Sequence, residues 1–136
     1  MTMLEQNLKQ LATDLELEKA PEKDEKGGYS LLLNPELTVR LRELDPGVYL
    51  SAHIGPCPMK RREDLFILLM KANFLGTGTG GSAIGLDEDE KFLTLSLALP
   101  YDMNYKMFRE VIEDFTNYRD YWREEIIRFE TQEILI

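Results

Sequence analysis

One cysteine, one histidine and no apolar run of membrane length leave this chain without the raw material for several classes of protein. Cys57 has no second thiol to pair with, so an internal disulfide is excluded, and a lone thiol fits a reducing compartment. A single histidine and a single cysteine are too few to build a zinc site. Basic residues are also scarce: 16 Lys+Arg stand against 25 Asp+Glu, a formal net charge of −9. Phosphate backbones and anionic lipid both call for a basic face, so nucleic acid and membrane surfaces are disfavoured partners. The one dense basic run, Lys60-Arg61-Arg62, is short enough to read as a solvated face. No apolar stretch approaches the roughly 20 residues of a membrane span. The N-terminus lacks the basic-then-apolar layout of a secretory signal. The expectation is a soluble cytoplasmic protein that inserts into no membrane.

What is present suits one folded domain spanning residues 1–136, with 43% hydrophobic residues. Leu4, Leu8, Leu11 and Leu15 recur at spacings of four and three, the stripe of an amphipathic helix. Pro21 and the charged run 22–28 end it. The period then falls to two. Tyr29 to Leu33 form a short apolar run, Leu37, Val39 and Leu41 alternate with polar residues, and so do Val48, Leu50, Ala52 and Ile54. That pattern predicts antiparallel strands packed on one face, with turns at Asn34-Pro35 and Asp45-Pro46-Gly47. A helix is predicted from about Lys60 to Phe74, then two strands joined by the acidic tip at residues 87–90. A last helix runs from about Asn104, its cap, to Thr131. Helix, three strands, helix, two strands, helix is an α+β order.

Residues 76–81, Gly-Thr-Gly-Thr-Gly-Gly, have the spacing of a dinucleotide-binding loop. Such a loop follows a strand and opens a helix, whose N-terminal N–H groups face the phosphate. Here the predicted order is reversed, and a helix C-terminus presents carbonyls instead. The glycines therefore read as a bend, with Gly76 in a left-handed helix cap. Ser82 lacks the following glycine of a nucleophile elbow. His53 falls on the polar face of a strand, and Cys57 sits in a proline-rich connector with no helix start to activate it. The acidic tip lacks the glycine and final glutamate of an EF-hand loop. No enzyme activity, metal or cofactor is expected.

Residues 65–70, Leu-Phe-Ile-Leu-Leu-Met, surround the middle helix with apolar side chains on every side. One face of it packs on the sheet; the opposite face would be an exposed apolar patch, which soluble monomers rarely tolerate. The simplest cover is the same helix of a second copy across a two-fold axis, the alternative being the last helix of the same chain. The first helix either completes the core or flanks a groove beside the first strand, where an edge would accept an extended peptide.

Residues 65–100 resemble the central signature of the class I type III secretion chaperones, the Tir-chaperone family. The likeness lies in Leu68-Leu69, Ala72-Asn73-Phe74, Gly80-Gly81, Ile84-Gly85-Leu86-Asp87, Leu93, Leu95 and Leu99-Pro100. The stretch 113–123 is similar to the family's last helix. The resemblance implies a non-enzymatic homodimer of the bacterial cytoplasm. It would hold the extended N-terminal region of one or more secreted effectors and present this cargo to the secretion apparatus and its ATPase. It places the dimer contact on the middle helix, for which Leu65, Phe66, Leu68, Leu69 and Phe74 are the candidates. Leu4, Leu8, Leu11, Tyr29, Leu31 and Leu33 are the candidates for cargo contact, chosen by the edge argument. The rival readings are a dimeric adaptor for folded partners and, more remotely, a thiol enzyme using Cys57 with His53.

Overall fold

A computed structural model describes residues 2–76 and 78–132. The elements are α1 (Met3–Asp14), β1 (Gly28–Asn34), β2 (Leu37–Glu43), β3 (Val48–Pro56), α2 (Arg62–Asn73), a 3-10 turn (Phe74–Gly76), β4 (Ala83–Leu86), β5 (Phe92–Leu99) and α3 (Tyr105–Gln132). The strands form a five-stranded sheet in the order β1-β2-β3-β5-β4, so β1 and β4 are its edges. β1 pairs antiparallel with β2, β2 with β3, and β4 with β5. The chain divides into two compact units, Met1–Ala52 with Ala98–Glu113, and His53–Leu97 with Asp114–Ile136.

In the first unit, Thr2 caps α1 by accepting the N–H of Glu5 at 3.1 Å. The predicted leucine stripe is buried through Leu4, Leu8 and Leu11, and Leu15 is the exposed C-cap. Alternation along β1 to β3 sends Tyr29, Leu31, Leu37, Val39, Leu41, Val48 and Leu50 into the same interior. Polar ties fix the helix in place. Asn7 Nδ2 donates to the carbonyl of Met103 at 3.2 Å, the Tyr105 hydroxyl donates to Asp14, and Tyr29 donates to Glu5 Oε1 at 3.1 Å. Burial and the Glu5 carboxylate push the Tyr29 phenol up to about 12. The start of α3 is capped as its sequence predicts, Asn104 Oδ1 accepting the N–H of Met107 at 2.9 Å.

In the second unit Leu65, Leu69, Ala72, Ile84, Leu93 and Leu95 are buried, together with Phe115, Trp122, Ile126 and Phe129 of α3. The α3 stripe steps by four and three and has one gap in its apolar pattern, at position 119. The structure buries Arg119 there, its Nε donating to the carbonyl of His53 at 2.9 Å and its Nη1 pairing with Asp120 at 3.0 Å.

The glycine loop is a packed bend between α2 and β4. Gly76 adopts φ +70° and ends the 3-10 turn; α2 itself ends at Asn73, three residues before the cap its sequence suggests. Gly80 has φ +64° and lies so close to α3 that a Cβ there would sit 2.2 Å from the Tyr118 ring. Trp122 Nε1 donates to the carbonyl of Gly78 at 2.8 Å. The glycines thus bring the backbone against two aromatic rings, and the element that follows is a strand.

Candidate functional site

Edge strands expose backbone donors and acceptors, and the two edges of this sheet are treated differently. On β4, Asn73 Oδ1 accepts the N–H of Ile84 at 2.8 Å while its Nδ2 donates to the Ile84 carbonyl at 2.8 Å. One side-chain amide at the end of α2 thereby makes the pair of bonds that another strand would make, and that part of the edge is closed.

Among the described residues, β1 is closed at its beginning. Asp24 donates its backbone N–H to the Gly28 carbonyl at 2.8 Å, and its Oδ1 accepts the N–H groups of Gly28 and Lys26, each at 2.9 Å. Arg40 of β2 reaches over the strand to Asp24 Oδ2 at 2.8 Å and also donates to the Ser30 hydroxyl. The Gly28 amide bond and then Arg40 hold the Asp24 carboxyl down to about 2. Since Gly28 turns its backbone groups away from β2, the alternation of an antiparallel pair turns those of Ser30 and Leu32 the same way. A register shift between Leu32 and Asn34 ends the regular strand. Among the described residues, none closes the edge over Ser30–Leu32, where Leu32 is exposed and Leu33 half-buried.

A second apolar surface lies on α2. Leu65 and Leu69 are buried beneath it, Phe66 is half-buried, and Ile67, Leu68, Met70 and Phe74 are exposed. Beside it runs a groove of about 260 Å³ between α2 and the β4–β5 hairpin, lined by Phe66, Met70, Ile84, Leu86 and Leu93 among others.

These positions sort the residues chosen from the sequence. Leu4, Leu8, Leu11, Tyr29 and Leu31 retain at most 7% of their surface, so they hold the first unit together and offer a cargo chain nothing to touch. Leu33 keeps partial exposure. The reason is that α1 lies on the inner face of the strands instead of standing off to form a groove wall. On α2, Leu65 and Leu69 likewise face inward, while Phe66, Leu68 and Phe74 keep surface, and Ile67 and Met70 join them. The feature that sequence reasoning missed is the Asn73 amide. Its position at the end of the middle helix, two residues beyond Lys71, was the available signal.

The chemical candidates are quiet. His53 is exposed and stacks on Phe92 with ring centroids 4.7 Å apart. Cys57 is buried; its N–H donates to the Lys91 carbonyl at 2.8 Å and Arg62 Nη2 donates to its sulfur at 3.6 Å. At the acidic tip, Asp87 Oδ1 accepts the N–H groups of Phe92 at 3.2 Å and Lys91 at 2.9 Å. Those two bonds, Phe92 first, hold its carboxyl below the ordinary range and account for it as a turn-former. Among the described residues no group of three or more His, Cys, Asp or Glu side chains is placed to hold a metal, and no helix is long and apolar enough to cross a membrane.

Comparison with known proteins agrees with this layout. A Chlamydia pneumoniae protein designated CPj0713/CpB0740 is 31% identical over 122 residues, covering 88% of this chain and 93% of the relative. The fold matches the crystal structure of the ExsC–ExsE complex with a TM-score of 0.74 at 18% identity, over 89% of this chain and 91% of the other. It matches the HopA1–SchA chaperone–effector complex with a TM-score of 0.68 at 14% identity, over 90% and 94% of the two chains. The profile of the Tir chaperone protein (CesT) family matches residues 6–123. An α+β chain with an antiparallel five-stranded sheet, the Asn73 and Gly80-Gly81 signature in place, and that profile across most of its length belongs to the Tir chaperone protein (CesT) family.

Proposed function

We propose that this protein is a type III secretion chaperone of the bacterial cytoplasm, which binds the extended N-terminal region of a secreted effector and keeps it soluble and ready for export. The observation that carries the reading is the asymmetry of the sheet edges among the described residues: Asn73 closes β4 at Ile84, whereas no described residue closes β1 over Ser30–Leu32. An extended segment adds there by main-chain hydrogen bonds, with its alternate side chains against Leu32 and Leu33. That mode needs no catalytic group and accepts only an unfolded stretch of cargo. The chaperone–effector complex among its structural relatives supports the same reading.

Dimerisation completes the proposal. The outer face of α2, with Ile67, Leu68, Met70 and Phe74, meets the same face of a second copy, and Phe66 and the adjacent groove lie at its margin. Leu65 and Leu69 support that face from beneath. Handing the cargo to the secretion ATPase is a step for the cargo-loaded dimer.

The test is co-expression with N-terminal fragments of effectors from the same bacterium, followed by limited proteolysis and mass spectrometry. A protected segment of extended cargo is expected. Capture of folded partners alone, with no protected extended segment, would sink the chaperone reading in favour of an adaptor.

A further inference from the structure

Resting on the β1-edge reading, we propose that residues 20–23 are a strap built into the chain, which pairs antiparallel with β1 over Ser30–Leu32 and competes with the cargo segment for that edge. The chain reverses direction just before β1. Gly27 donates its N–H to the Asp24 carbonyl at 3.1 Å, and Asp24 donates its own to the Gly28 carbonyl at 2.8 Å. Gly27 itself adopts φ +83°. Two such bonds around three residues, the last of them left-handed, make a three-residue hairpin connection of the kind that joins antiparallel strands. One arm of this hairpin is β1. The other starts at Asp24 and leads back through Lys23, Glu22, Pro21 and Ala20.

The residues of the second arm suit that role. Asp24 faces Gly28, so continuing the pair sets Glu22 against Ser30 and Ala20 against Leu32. Ala20 is as far before Asp24 as Leu32 is beyond Gly28. Pro21 falls between, at a position that turns its backbone nitrogen away from β1, so its missing N–H costs no bond. Alternation puts Glu22 on the solvent face with Asp24 and Ser30. On that face Arg40 reaches Asp24 Oδ2 at 2.8 Å and donates to the Ser30 hydroxyl. A closing strap thus brings the Glu22 carboxylate toward a guanidinium already lying over the strand. Ala20 and Pro21 are half-buried although they belong to no helix or strand.

The strap is marginal by construction. The main-chain bonds gained at Ser30 and Leu32 roughly balance the entropy lost in ordering the connector, so closed and open edges coexist. A cargo strand that meets the same backbone groups and adds side-chain contacts of its own displaces it. Until then the strap shields the edge from pairing with a strand of another molecule.

Amide hydrogen exchange followed by NMR on the full-length protein reads the strap. Titration with a synthetic peptide of alternating valine and threonine, with lysine at both ends, reads the competition. Glu22→Pro removes the N–H that would meet the Ser30 carbonyl, whereas Lys23→Pro removes one that points away from β1. The Ser30 and Leu32 amides should exchange about twofold to fivefold faster in Glu22→Pro than in the wild type. The peptide should bind Glu22→Pro more tightly by that same factor, because apparent affinity scales with the fraction of open edge. Lys23→Pro should change neither. Equal exchange and equal affinity in wild type and Glu22→Pro, with the peptide still shifting Ser30 and Leu32, would overturn the strap and leave strand docking standing. Faster exchange in Glu22→Pro with no response to the peptide from either protein would overturn docking on β1, and the competition with it. An equal gain from Lys23→Pro would overturn the pairing, since it would trace the effect to a stiffer connector.

Discussion

Replacing Met70 with aspartate should split the proposed dimer without unfolding the chain. Met70 keeps 72% of its surface in the single chain, and Phe74, Ile67 and Leu68 keep 68%, 53% and 39%. Full burial of such a side chain contributes about 1.5–3 kcal/mol, so burying the exposed remainder of Met70 is worth roughly 1–2 kcal/mol. A two-fold axis brings the contact in twice, giving roughly 2–4 kcal/mol, or about a 30- to 700-fold weaker dimer. Two carboxylates forced into an apolar contact add a desolvation cost on top of that. Light scattering coupled to size exclusion at micromolar concentration should show twice the 15.8 kDa chain mass for the wild type and the single mass for Met70→Asp. Circular dichroism should show the same helix content for both. Leu65→Asp, at a position with no exposure, should instead lose the fold. A wild type that runs as a monomer at 100 µM, or a Met70→Asp protein that stays dimeric, would refute the assignment of the α2 face.

Three further outcomes check other parts of the structure. Gly80→Ala places a Cβ into the Tyr118 ring and at a left-handed φ, so thermal or urea unfolding should show a loss of about 2 kcal/mol or more; a loss under 0.5 kcal/mol would mean the loop is not packed as described. Asn73→Ala removes both bonds to Ile84 and should cost about 1–3 kcal/mol in the same assay, with faster amide exchange at Ile84; unchanged exchange would mean that Asn73 does not close the edge. The Asp24 carboxyl lies below its ordinary 3.8, so its contribution to holding the β1 end is full above that pH and fades as the pH falls toward about 2. Carbon-detected NMR should give an Asp24 midpoint near 2, and a midpoint near 4 would show that the latch on Gly28 is absent in solution.

Much of the fold was legible because it rests on local periodicity. The leucines of α1, the alternation of β2 and β3, and the four-and-three stripe of α3 each declare an element and its inward face without reference to the rest of the chain. The Asn104 cap and the reversed order around the glycines are equally local, and the latter already argued against a phosphate loop. The signature around Asn73 and Gly80-Gly81 pointed to the family that the profile comparison shows.

Periodicity says that a residue faces inward but not what lies there. That α1 covers the inner face of β1, rather than standing beside it, was settled by long-range packing and by ties such as Asn7 to Met103, 96 residues apart. It moved Leu4, Leu8, Leu11, Tyr29 and Leu31 from a supposed docking groove into the core. The six apolar residues of α2 are alike in sequence, and only the packed neighbours separate the buried Leu65 and Leu69 from the exposed Ile67 and Met70. Arg119 broke the apolar stripe of α3, yet its burial depends on a carbonyl 66 residues away. Which segments are helix or strand can be read locally, because that choice is made over a few residues. Which edge Asn73 closes and which side of α2 keeps its surface depend instead on groups brought together in the folded chain.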